Sequence, residues 1–201
     1  IGIALTGAAV PVNKSTNGTV VLSGANTYGG GTNILAGSMW IGSSTVLDGA
    51  NAIVSGPLGT GLVTMSNGVG LGTSSATPQT LQNEVKLLGN ATLGNGSSGT
   101  LTLAGDLDLN QAARTLTVYN TVTVNGVIKD GGASAAAVVL NGNGTLTLGG
   151  NLTFTGTGAN TASITANVDL GTTGTRLFQI GNNGSNADVD TTLTGVISGG
   201  T

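Results

Sequence analysis

The phrase GTVVLSG at Gly18 returns as GTLTLAG at Gly99 and as GTLTLGG at Gly144, intervals of 81 and 45 residues. Those intervals are close to four and two multiples of a unit of about 20–22 residues, the kind of spacing that marks a repeat architecture. A second pair, NGVIKDGG from Asn125 and TGVISGGT from Thr194, lies roughly three such units apart. Each phrase alternates apolar residues with Thr between turns of Gly, Ser and Asn. Strands this short cannot bury a hydrophobic face alone. Stacked rung upon rung, they form parallel sheets around a continuous apolar interior.

Asn17 to Gly42 shows the grammar most cleanly. It predicts strands at Thr19–Leu22, Thr32–Leu35 and Ser38–Ile41, about 24 residues making one circuit of three strands. Similar runs follow, among them Leu62–Met65, Val85–Leu88, Ala91–Leu93, Thr100–Leu103, Thr121–Val124 and Thr145–Leu148. Leu101, Leu103, Leu107 and Leu109 alternate inward, leaving Thr100, Thr102, Asp106 and Asp108 facing water. Thr80–Leu88 (TLQNEVKLL) is the best helix candidate and reads instead as a loop entering a strand. The expected fold is all-β, a β-solenoid of roughly nine to ten circuits of about 20–24 residues in a single domain, 1–201.

Composition closes off other classes. Only 6% of residues are charged, against roughly 25% in ordinary globular domains. Disordered chains are charged and poor in Val, Ile and Leu, so disorder does not fit. The 37 glycines have no three-residue period, which excludes collagen. Lys and Arg are scattered, so neither nucleic-acid binding nor a polybasic membrane patch is expected. No apolar run is long enough to span a membrane, and without cysteine there is neither disulfide nor thiolate metal site.

The stretch GTVVLSGANTYGGGTNILAGSMWIG resembles the autotransporter-associated β-strand repeat. The matching residues are Gly18-Thr19, Leu22-Ser23-Gly24, Asn26-Thr27-Tyr28, Gly30-Gly31-Thr32, Ile34, Ala36-Gly37 and Gly42. The resemblance implies a right-handed parallel β-helix displayed outside a bacterial cell. It carries over no catalytic residue.

Parallel β-helices also host polysaccharide lyases, so carboxylate pairs matter. Asp106/Asp108 and Asp188/Asp190 each place two carboxylates at i and i+2, about 6.5–7 Å apart on a strand, a separation suited to an inverting glycosidase. Every D-x-D strand shares that spacing, and histidine is absent. Both pairs read as solvated surface and the chain as non-enzymatic, with no cofactor. Asn182–Asp190 (NNGSNADVD) offers oxygen donors of the kind calcium prefers but lacks a known calcium-loop spacing, and reads as a corner loop. Lys86, Arg114, Lys129 and Arg176 read as scattered solubilising charges.

Alternation puts Ile34, Met39 and Ile41 inside and leaves Leu35 and Trp40 outside. Either a loop (Pro57–Leu62, or the N-terminal strand) folds over them, or they form a contact surface for another subunit or a sugar. The end phrase Leu193–Ile197 resembles Leu5–Val10, so copies could stack head to tail. The expected role is a structural solenoid of a bacterial surface or extracellular matrix, a mature product or segment of a longer protein, self-assembling into a fibre. The competing expectations are an autotransporter-type passenger or adhesin that binds host or glycan surfaces, and a lyase-like β-helix.

Overall fold

The computed structural model describes residues 1–96, 99–130 and 138–154, then the strands Ala162–Ile164, Val168–Asp169, Phe178–Ile180, Thr191–Leu193 and Ile197–Ser198; side chains are described as far as Asn151. The described residues hold strands, turns and loops and no helix. In each of three sheets the strands pair in parallel with the strand one rung later. The first sheet holds eight: Val12–Lys14, Thr32–Ile34, Val63–Met65, Val85–Leu87, Leu107–Asp108, Ile128–Lys129, Leu152–Phe154 and Phe178–Ile180. The second also holds eight, beginning Thr19–Leu22, Ser38–Ile41, Val69–Thr73, Ala91–Leu93, Arg114–Val118 and Val138–Asn141. The third holds six, from Gln79–Leu81 and Leu101–Leu103 onward.

The chain is therefore an all-β solenoid of about six full three-sided turns, the number of strands in the third sheet. The nine to ten circuits expected from the sequence are not confirmed. Some rungs are longer than the repeat length suggests. The step from Thr32 to Val63 takes 31 residues, because it carries an antiparallel hairpin, Val46–Leu47 with Ile53–Ser55. Nor do the three strands of the opening stretch make one circuit. Thr19–Leu22 and Ser38–Ile41 lie side by side in the second sheet, a rung apart, and Thr32–Ile34 belongs to the first. On the third side, those early rungs run without ladder. Residues 1–10 follow 21–31 there, with Ile1 O accepting from Ser23 N and Leu5 O from Thr27 N.

Alternation along each short strand builds the interior. Leu81, Leu103, Val124 and Leu148 stack in register on one side, and Met39, Leu71, Leu93 and Val118 on another, all buried. Burying one such aliphatic side chain contributes about 1.5–3 kcal/mol. On the third sheet the outward residues between them are half-exposed Thr, a β-branched residue that suits a pleated surface. Corners are tight. Gly37 has φ 68°, and a Cβ there would come within 2.5 Å of the Asn17 and Gly18 carbonyl oxygens. Only glycine fits that position.

The first rungs carry a polar interior. Tyr28 is buried, with its hydroxyl 2.7 Å from Thr32 Oγ1, which donates in turn to Leu58 O. Lys14 ends the first strand with its side chain buried. Its ammonium donates to Thr16 O and Ala36 O. A buried charge needs partners of this kind, and backbone carbonyls at the end of the stack supply them.

Candidate functional site

Two outer faces carry the side chains that could meet a ligand. On the first sheet, a single outward column runs Asn13, Asn33, Thr64, Lys86, Asp108, Lys129 in strict register. Asn33 Nδ2 donates to Asn13 Oδ1 at 2.7 Å, and Thr64 Oγ1 to Asn33 Oδ1 at 2.6 Å. Lys86 Nζ lies 3.3 Å from Asp108 Oδ2. Lys129 Nζ reaches Asp106 Oδ2 at 2.9 Å and Glu84 Oε1 at 3.3 Å, drawing in the residues just before the neighbouring strands.

These charges are therefore not scattered. Lys86, Lys129 and Arg114 lie among Glu84, Asp106 and Asp108, with the buried Asp130 directly after Lys129. Asp108 also corrects the expectation of a solvated carboxylate, since the residue is only 5% exposed. The tight turn after it, with Asn110 and Gln111 both at positive φ, brings the Asn110 N–H to Asp108 Oδ1 at 2.7 Å. Arg114 leans the same way and donates to Leu109 O at 3.0 Å.

Titration follows from these contacts. Partial burial works to raise the Asp106 pKa, but the Lys129 hydrogen bond, the Val127 N–H and the Lys129 charge outweigh it and hold the carboxyl below its ordinary value. Lys129 moves up, chiefly through its hydrogen bond to Asp106. A general acid needs the opposite, a carboxyl kept protonated by burial or a like charge. The cluster instead holds charges fixed.

The second face is uncharged. The outward column one step from its far edge begins Val21, Trp40, Gly72, paired in register. Trp40 is half-buried, and what its ring lies on is the next rung. A Cβ on Gly72 would fall 2.6 Å from Cζ3 and 2.8 Å from Cε3, and one on Gly70 would lie 3.6 Å from Cη2. The loop expected to fold over this residue goes elsewhere, because Pro57 and Leu58 are buried and Leu58 joins the core. Leu35 sits at the corner between the two faces, 46% exposed. It and Trp40 therefore occupy different places, a corner and a sheet surface.

Sequence reading missed Lys14, the charge cluster, and Tyr119, which is 48% exposed. A signal existed for the cluster. Glu84 and Asp106, and Lys86 and Asp108, are each 22 residues apart, one rung. Among the described residues no group of acidic side chains could hold a metal ion, and no helix is long and apolar enough to cross a membrane. Asp188/Asp190 and Asn182–Asp190 lie outside the described residues.

No family model, curated protein or solved structure matches the chain. The likeness to the autotransporter-associated repeat rests on the residues of 18–42 alone.

Proposed function

We propose that the chain is a non-enzymatic structural β-solenoid of a bacterial surface or extracellular matrix, and that copies join end to end. We assign it a right-handed winding, the hand that parallel crossover connections take almost without exception. The observation that best supports the joining is the first rung. Val12–Lys14 and Thr19–Leu22 are the outermost strands of their sheets. Beside them a cavity of about 250 Å³ is lined by Val12, Val20, Leu22 and Met39 together with Lys14. An open pairing edge over an apolar interior is completed by one more rung of the same geometry. In our reading a second copy, or a neighbouring repeat of a longer chain, supplies that rung. Support for the non-enzymatic part comes from the charge cluster, whose carboxylates are tied to cations and a backbone N–H.

Electron microscopy and sedimentation across a concentration series test this reading. Filaments or oligomers that grow with concentration are expected, and Val20→Lys at the cavity rim should abolish them while leaving the circular dichroism spectrum intact. Single short rods at every concentration would overturn the assembly. Release of unsaturated uronides from pectic substrates would overturn the non-enzymatic assignment.

A further inference from the structure

Among the described residues, the aromatic side chains that reach the surface are Trp40, on the second sheet's outer face, and Tyr119, one residue past the end of that sheet's strand Arg114–Val118. Both sit at the same edge, the one away from the charged face. Trp40 pairs with Gly72. Gly94 follows Leu93, which pairs with Leu71 and Val118, and Tyr119 follows Val118. Trp40, Gly72, Gly94 and Tyr119 thus take equivalent places in four successive rungs. Three rung spacings put the backbone positions of the two aromatics about 14 Å apart along the solenoid axis, and the Trp40 ring, lying over Gly72, is one rung nearer to Tyr119. Between the two aromatics, Trp40's own ring covers Gly72 and the Asn120 side-chain amide lies over Gly94.

The flanks are hydroxyls and amides. Ser38, Thr92, Thr117 and Asn141 occupy the neighbouring outward column, with Gly70 between Ser38 and Thr92. On the other side Gly42 lies against Ser23 and Ser74. None of these carries a charge. The nearest cation on the sheet, Arg114, opens its strand at the opposite edge and turns to Leu109 O.

We propose that this surface binds a neutral, extended polysaccharide lying along the solenoid axis from Trp40 to Tyr119. A sugar ring presents an apolar C–H face that suits an aromatic plane, with hydroxyls around its rim that exchange hydrogen bonds with Ser, Thr and Asn. The electrostatics choose the neutral class. A phosphate or uronate chain needs cations along its path, and the described cations of the chain's middle rungs are committed to the other face. The two aromatics fix the direction, because a chain that touches both must cross the rungs. This assignment stands whether or not copies join end to end.

The chain's one tryptophan makes the site directly readable. The intact protein is titrated with chitohexaose, with cellohexaose and with oligogalacturonate while tryptophan emission is followed. A saturable change with at least one of the two neutral hexasaccharides is expected. Tyr119→Ala, with unaltered thermal melting, should weaken it about tenfold, the cost of losing one aromatic contact. The matching monosaccharide, too short to touch both rings, should bind no better to the native chain than to that variant. The assignment is overturned if neither neutral hexasaccharide alters the emission, if oligogalacturonate binds more tightly, or if Tyr119→Ala binds as well as the native chain.

Discussion

Trp40 occupies the space that a side chain on Gly72 would need, its Cζ3 atom 2.6 Å from where that Cβ would stand. The two residues are partners in adjacent strands of the second sheet. Tryptophan and glycine therefore specify one another across a rung. The large ring covers backbone that glycine leaves bare, which recovers packing that a glycine in a strand otherwise forfeits.

Gly72→Val should expel the ring and destabilise the fold by about 1–3 kcal/mol, as overpacking does. Tryptophan emission should shift to the red as the indole enters water. Denaturant unfolding together with the emission maximum checks both. A valine variant with native stability and native emission would show that the ring does not depend on Gly72.

Leu103 is fully buried between Leu81 and Val124 in the third sheet's inward column. Leu103→Ala should cost about 2–5 kcal/mol, the range for truncating a packed leucine. Thr102→Ala, one residue away and facing outward, should stay within about 0.5 kcal/mol. Urea midpoints of the two variants test the contrast.

Much of this was legible in the sequence, for one reason. Inward leucines and outward threonines are set by a two-residue period, which short strands such as Thr145–Leu148 and Thr121–Val124 obey, and both strands have the bounds that alternation predicts. Val69–Thr73 (VGLGT) escaped because its outward residues are glycines, which read as a turn. Its backbone pairs with the strands of both neighbouring rungs, and Trp40, a residue of the previous rung, covers Gly72. The charge cluster escaped for the same physical reason. Lys86 and Asp108 are far apart along the chain and become neighbours only once the rung length is known. Contacts between rungs carry information that no local window holds.

The Asp106–Lys129 pair gives stability a pH dependence of known sign. The folded pKa of Asp106 lies below its unfolded value. Its contribution is fully present above the ordinary carboxylate range and is lost as pH falls through the lowered folded value. Lys129, raised in the fold, contributes below the ordinary lysine range and loses that contribution as pH rises through its own folded value. Asp106→Asn should flatten the acid limb of a stability-against-pH curve measured by thermal melting. An unchanged acid limb would refute the pairing.

Lys86 and Asp108 should be energetically coupled, because the carboxylate is nearly enclosed while the ammonium remains about one-third exposed. A cycle through Lys86→Met, Asp108→Asn and the double variant should give a coupling energy of about 0.5–3 kcal/mol. Additive effects would mean that the Asn110 N–H and Arg114 suffice to hold Asp108.

Parallel pairing in strict register makes the molecule's length a quantised property. Val63, Val85 and Leu107 are successive partners in one ladder, so each could succeed Thr32 with the inward column unbroken. Deleting a whole rung joins equivalent places and returns a shorter solenoid of the same cross-section. Deleting half a rung brings a corner against a strand, and deleting one residue turns leucines outward. Such a chain can lengthen or shorten by copying or losing whole rungs while its interior stays continuous.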